Sequence, residues 1–228
     1  MSPPLVMRRL GMVAYEDAFE LQKQLREQRL HDEIHDTLLL LQHPPVITIT
    51  RRFGRQNVLA SDAELAARTI HLVEVDRGGD VTAHAPGQLV AYPIVKLGAD
   101  ERDLPRYVRG LEQAVMDVMA AHGLTGERIA GESGVFLPPV EPGGLFEKIS
   151  AVGVKGTRWV MSHGLAFNVE PDLSIFSLIV PCGLKHRGVT SLKQRLGARS
   201  PGLEDVLEAL APALARAFGR TLIDPQAS

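Results

Sequence analysis

The spacing of apolar residues divides the chain into helical and extended segments before any chemistry is considered. Between Ala14 and Arg29, the residues Ala14, Ala18, Leu21 and Leu25 recur on one helical face among Glu, Gln, Lys and Arg, which predicts an amphipathic helix. Thr37 to Leu41 is a continuous apolar run and Val46 to Thr50 alternates β-branched residues, so two strands meet at the turn His43-Pro44-Pro45. Ser61-Asp62-Ala63-Glu64 has the composition of a helix start. The stretch HLVEVD (71–76) alternates, VTAH and LVAYPI resume extended character, and Gly78 and Gly79 fall where a hairpin would turn. Leu104, Val108, Leu111, Val115, Val118 and Met119 mark one face of a longer helix, with Pro105 in its first turn and Gly123 just beyond its end.

The second half continues the alternation. GVFL reads as a short strand, and the turn-forming PPVEPGGLFE (138–147) as a mobile loop before KISAVGV. Lys148 to Val154 and Thr157 to Ser162 predict a hairpin about Lys155-Gly156, followed by a strand from His163 to Val169. A closing helix from Pro201 to Phe218 turns Leu203, Leu207, Leu210, Leu214 and Phe218 inward, and Pro212 is expected to kink it. Strands clustered as hairpins, without regular βαβ alternation, point to an α+β fold. No repeat, low-complexity tract or linker divides the chain, so residues 1–228 are expected to form a single catalytic-size domain.

Composition narrows the function classes. The 228 residues carry a net charge of -2, which gives no global field that would recruit nucleic acid or an anionic membrane. A single cysteine excludes an internal disulfide and any multi-cysteine zinc site, and suits a reducing compartment. No apolar run approaches the roughly 18 residues of a membrane helix, and the N-terminus has no leader-like apolar core. The expectation is a cytoplasmic protein without nucleic-acid or membrane partners.

Candidate chemistry concentrates in three places. RGGDVTAHAPGQLVAYP (77–93) sets Gly78, Gly79 and Gly87 beside Arg77 and His84, which suits a pocket wall that a ligand approaches closely, although a plain hairpin with solvated Arg77 and His84 has the same composition. Around Lys148, the small residues Ala151, Gly153, Gly164 and Ala166 clear space on a sheet; tight backbone packing is the other explanation. Cys182 sits between Pro181 and Gly183 and is followed by Lys185, His186 and Arg187, a setting that presents a thiol at a bend in a positive field, where a lone cysteine is otherwise a small buried hydrophobe. RRFGRQN (51–57) offers Arg51, Arg52 and Arg55, which with Arg187 could steer an acidic partner or form a solvated loop.

Three segments taken together, RGGDVTAHAPGQLVAYP, KISAVGV with HGLAFNV, and PCGL followed by GVTSL, resemble the octanoyltransferases of lipoate biosynthesis, from about Leu38 to Leu196. The resemblance implies a biotin/lipoate-protein ligase catalytic-domain-like fold: a large mixed β-sheet and a smaller sheet flanked by helices. It implies transfer of an octanoyl group from octanoyl-acyl carrier protein to a lysine of lipoyl domains, those of 2-oxoacid dehydrogenases and the glycine cleavage H protein, through an acyl-cysteine. Carried over by motif, Cys182 is the nucleophile and Lys148 its activating partner; Lys155 and Lys185 are equally available on spacing alone. Arg77, Gly78, Gly79, Asp80, Val81, Thr82, Ala83, His84, Ala151, Val152, Gly153, Gly164, Leu165 and Ala166 then wall the acyl pocket. No metal or cofactor is implied, and a monomer is expected. Ala83 stands where the family often has tyrosine and Ala85 where it has glycine, which bears on pocket shape and acyl length. An ATP-dependent lipoate-protein ligase on the same scaffold, which needs no cysteine, is the alternative.

Overall fold

A computed structural model describes residues 2–180 and 187–226; Cys182 and its immediate neighbours, 181–186, lie outside the described residues. The larger sheet is built on β1 (Pro4–Met12), β2 (Asp36–Gln42), β6 (Gln88–Ile94), β8 (Glu147–Thr157) and β9 (Val160–Asn168). Short strands β7 (Val135–Leu137), β10 (Gly188–Val189) and β11 (Thr221–Ile223) complete it, in the order β10-β8-β9-β6-β2-β1-β11 with β7 also on β8. It is mixed: β1 runs parallel to β2 and β11, and β10 to β8, while the β2–β6–β9–β8 run is antiparallel. A three-stranded sheet sets β3 (Val46–Thr50) between β4 (His71–Val75) and β5 (Thr82–His84).

The uninterrupted apolar run of β2 has a direct cause, because both faces of the larger sheet are covered. Leu38 and Leu40 pack into a core with Leu111 and Val115 of α3 (Leu104–Ala121) and Leu210 and Leu214 of α5 (Leu203–Ala217). Leu39 and Leu41, on the opposite pleat, pack with Val90, Tyr92 and the α1 (Tyr15–Leu30) residues Ala18 and Leu25. The predicted helix signals act as expected at their starts. Asp103 caps α3 by accepting from the Arg106 N–H at 2.9 Å, and Ser61 caps α2 (Asp62–Ala67) by accepting from the Glu64 N–H at 3.2 Å. A further short helix, α4 (Leu192–Leu196), follows β10. No described helix is long and apolar enough to cross a membrane.

Two local expectations are corrected. Gly78 and Gly79 do not turn a hairpin: β4 and β5 both pair with β3, the first parallel and the second antiparallel, so a two-stranded alternation was read where a third strand intervenes. The β8–β9 hairpin turns at Arg158-Trp159, both at positive φ, and not at Lys155-Gly156. Positive φ at both central residues is what a two-residue hairpin loop needs, whatever the residue type. Gly156 stays in the ladder opposite Met161, whose Sδ would lie 3.3 Å from an added Cβ. In α1 the apolar face packs inward as expected, with Leu21 partly buried against the cluster of Ala18 and Leu25, and the polar Gln22 is buried as well because its Oε1 accepts from the buried His163 N–H at 2.8 Å.

Gly134, which leads into β7, is held at φ +117, and a Cβ there would lie 2.2 Å from the Ser150 carbonyl oxygen of β8. Gly134→Ala should therefore lower stability by about 1–3 kcal/mol, the usual range for overpacking, with backbone strain added. Thermal denaturation checks this; an unchanged melting temperature would mean that β7 and β8 do not approach so closely.

Candidate functional site

A cavity of about 370 Å³ is lined by residues of β8, β9 and β6 from the larger sheet, β5 and the glycine segment before it, and the start of α3. Lys148 and His163 both line it. His163 pairs with Val154, six residues along β8 from Lys148, so the two are separated by about 20 Å along the strand. The cavity is thus long and has two chemically different ends.

At the first end, Lys148 is 7% exposed. Its Nζ donates to the Ser133 carbonyl at 3.1 Å and lies 4.9 Å from the centroid of the Phe136 ring. The ammonium is therefore held by a carbonyl and a π face, partners that accept its charge without neutralising it. Residues 131–133 form the adjoining wall. Both flanks of segment 181–186 are fixed: Val180 N–H donates to the Asn57 carbonyl at 2.8 Å, and on the other side Val189 pairs with Lys148 while Thr190 N–H donates to the Lys148 carbonyl at 3.0 Å. The residue carrying the only thiol lies between these anchors in sequence.

At the second end Tyr15, His84, Tyr92 and His163 form a buried aromatic wall beside Arg77, with His43 packed behind it. His43 Nδ1–H donates to the Val13 carbonyl at 2.7 Å, which leaves Nε2 to accept from the Tyr92 hydroxyl at 2.9 Å. His84 Nδ1 bonds Gln88 Oε1 at 2.7 Å, and Gln88 Nε2 in turn donates to Asn168 Oδ1 at 2.9 Å. Burial pushes His43 down to about 4 and His84 well below the ordinary histidine range, so both rings are neutral at pH 7. Burial likewise lowers His163, against the Asp76 carboxylate that Nε2 meets at 2.9 Å. Asp76 is held well below the usual carboxylate range by the His163 hydrogen bond, with Lys155 also donating to it. Burial raises Tyr15 to about 12 and lifts Tyr92 well above the usual phenol value. Tyr15 stacks on His84 with ring centroids 5.7 Å apart. Such rings can pack an apolar chain, while the Arg77 guanidinium is held by Thr48 and the Asp80 carbonyl.

Of the residues singled out in the sequence, Lys148, Arg77, Gly78, Gly79, Thr82, His84, Ala151, Val152, Gly153, Gly164, Leu165 and Ala166 line the cavity. Asp80, Val81 and Ala83 do not. Strand alternation is the reason: Thr82 and His84 face the cavity, whereas Val81 and Ala83 pack with Ile47 and Ile175 in the core of the smaller sheet. Asp80 is buried; its side chain accepts from Asn57 and its carbonyl from Arg77 Nη2 at 2.8 Å. The small residues have mixed purposes. A Cβ on Gly164 would lie 2.1 Å from the Ala91 carbonyl oxygen, so that glycine serves tight strand packing. One on Gly153 would meet the Gly78 carbonyl oxygen at 2.9 Å and Arg77 Cδ at 3.1 Å, so its missing side chain makes room for Arg77.

Arg77 also donates to Thr48 Oγ1 at 2.9 Å, tying the smaller sheet to the cavity wall. The basic run is largely answered by its own neighbours: Arg51 pairs with Glu74 at 2.9 Å, Arg55 with Asp62 at 2.7 Å and Arg187 with Glu132 at 3.0 Å. Sequence reasoning missed Tyr15, Tyr92, Glu132, Ser133 and His163 as wall residues. Tyr92 had a readable signal, a hydroxyl within an otherwise apolar strand, but Asp76 and His163 are 87 positions apart and no spacing joins them. Among the described residues, no group of three His, Cys, Asp or Glu side chains could hold a metal ion.

Residues 14–215 match the lipoyl protein ligase A/B catalytic domain. An octanoyltransferase of Chloroflexus aurantiacus is 52% identical over 215 residues, 94% of each chain. Another, of Myxococcus xanthus, is 44% identical over 220 residues, which are 96% of this chain and 61% of the relative. Among solved structures, a bipartite lipoate protein ligase from Thermoplasma acidophilum superposes with a TM-score of 0.69 at 16% identity, covering 98% of this chain and 88% of that one. Lipoate-protein ligase A bound with ATP gives a TM-score of 0.68 at 15% identity, covering 98% and 90%. These likenesses are to the fold, the mixed sheets flanked by helices that the sequence resemblance implied.

Proposed function

We propose a mechanism from a fixed premise: this chain belongs to the lipoyl protein ligase A/B catalytic-domain family and is an acyltransferase that moves octanoyl groups in protein lipoylation. The donor is octanoyl-acyl carrier protein and the acceptor a lysine on the lipoyl domains of 2-oxoacid dehydrogenases and the glycine cleavage H protein. The chain works as one catalytic domain, a cytoplasmic monomer without cofactor or metal. Cys182, as thiolate, attacks the octanoyl thioester; the carbon–sulfur bond to the carrier breaks as the new one forms, and the carrier thiolate leaves. This exchange is nearly balanced. The neutral amine of the acceptor lysine then attacks the acyl-Cys182 carbonyl, an amide forms as the carbon–sulfur bond breaks, the Cys182 thiolate is released, and the proton shed by the nitrogen goes to solvent, balancing the one taken up by the carrier thiolate; this step is downhill. Splitting one transfer into two lets a small nucleophile serve two large protein substrates in turn.

The observation that carries this reading is Lys148 at the head of a cavity with an aromatic floor, with β10 returning from the Cys182 segment directly onto its backbone. A cation so placed favours thiolate over thiol. The aromatic floor, with His84 neutral, suits the apolar octanoyl tail.

Incubation with octanoyl-acyl carrier protein, without ATP, should add one octanoyl mass, mapping to the peptide that holds Cys182, and a lipoyl domain added afterwards should take it up. Free octanoate with ATP and magnesium should not acylate the lipoyl domain. The opposite pattern, acylation only with ATP and no adduct, would identify a ligase and remove the covalent reading.

A further inference from the structure

Glu132 lines the cavity, next in sequence to the Ser133 whose carbonyl holds Lys148, and its side chain is 12% exposed. Arg187 approaches only one of its oxygens: Nε and Nη2 both donate to Oε1, at 3.2 and 3.0 Å. The other oxygen, Oε2, is buried without a hydrogen-bond partner. A buried carboxylate oxygen left unsatisfied is costly, and such atoms call for an explanation. Lys148 does not supply the partner, since its Nζ is directed to the Ser133 carbonyl and the Phe136 face. An octanoyl chain does not supply it either, having no donor to offer.

We propose that Glu132 receives the ammonium group of the acceptor lysine as that side chain enters to meet the acyl-enzyme, and that the ammonium then gives up one proton to solvent so that the neutral amine attacks. The inference rests on the acyl-transfer reading above and adds a residue to it. The chemistry matches: an incoming lysine presents three N–H donors and a positive charge on a narrow apolar stem, and Oε2 is an anionic acceptor on the wall that also carries Lys148. The acyl donor brings a thioester and no amine, so Glu132 is needed only in the second half of the cycle. Water lacks the charge that Glu132 attracts, so the contact also favours transfer to protein over hydrolysis.

The test separates the half-reactions. In Glu132→Gln, acylation by octanoyl-acyl carrier protein should stay within about twofold of wild type, and so should release of the octanoyl group by hydroxylamine, a small nucleophile that is uncharged at neutral pH. The lipoyl-domain concentration giving half-maximal transfer should rise about tenfold or more, as expected for loss of a buried charge partner. Glu132→Asp, which keeps the charge on a shorter stem, should fall between the two. An unchanged lipoyl-domain dependence would overturn the proposal. So would an equal fall in all three rates, which would give Glu132 a structural role through Arg187. If wild-type protein forms no adduct at Cys182, the acyl-transfer reading itself fails and takes this inference with it, an outcome distinct from the other two.

Discussion

Cys182→Ala should lose both the covalent octanoyl adduct and transfer to the lipoyl domain, the latter by a factor on the order of 10⁴ or more, because removing the nucleophile removes the route and not merely a contact. Intact mass after exposure to octanoyl-acyl carrier protein reads the first loss, and acylation of the lipoyl domain reads the second. The substitution is small and should leave the fold intact, since the segments on either side are anchored independently, Val180 through Asn57 and Thr190 through Lys148. Binding of the carrier should persist. Transfer at the wild-type rate by Cys182→Ala would mean direct attack of the acceptor amine on the carrier thioester within a ternary complex, and Cys182 would return to being a small apolar residue.

How far the site could be read beforehand follows from the kind of signal each part leaves. Elements with a strong period were legible: α3 announces itself through Leu111, Val115 and Val118, Pro105 in its first turn, and Gly123 after its end. Pairing was less so, because alternation in 71–76 and 81–84 says that strands exist but not that β3 lies between them. Gly156 attracted the hairpin turn in the sequence, yet the turn fell on Arg158-Trp159, where the register of the flanking ladder required it. In the site, the glycine-rich segment and Lys148 were visible through composition and family resemblance. Alternation along β5 could have removed Val81 and Ala83 from the wall in advance. The aromatic floor was not legible: Tyr15, His84 and Tyr92 come from α1, β5 and β6, with His43 of the turn after β2 behind them, and their protonation is decided by burial that only the assembled fold creates.

Lys148 supplies the second large effect, and its pH dependence distinguishes how it acts. A thiol of ordinary pKa near 8.5 is only about 3% ionised at pH 7, so a nearby cation that stabilises the thiolate can raise the reactive fraction many-fold. Lys148→Met keeps an unbranched apolar stem against Phe136 while removing the charge, though it leaves the Ser133 carbonyl without that donor, at a stability cost of about 1–3 kcal/mol. Acylation of Lys148→Met by octanoyl-acyl carrier protein should be strongly slowed at pH 7 and then climb as the thiol ionises, by about 15-fold between pH 7 and 8.5 if its pKa is the ordinary one. The sign is fixed by the thiol: the reactive form is the deprotonated one, so without the cation the rate must rise with pH until that pKa is passed. Wild type, with its thiolate already favoured, should be flatter over the same range. If Lys148 instead served mainly as a proton acceptor in the second half-reaction, acylation by the carrier would be nearly untouched in Lys148→Met and transfer to the lipoyl domain would be slowed. A Cys182→Ala, Lys148→Met double variant should lose no more transfer than Cys182→Ala alone, since groups that act as one unit do not add. Additive losses would mean that Lys148 contributes through a step that does not pass through Cys182.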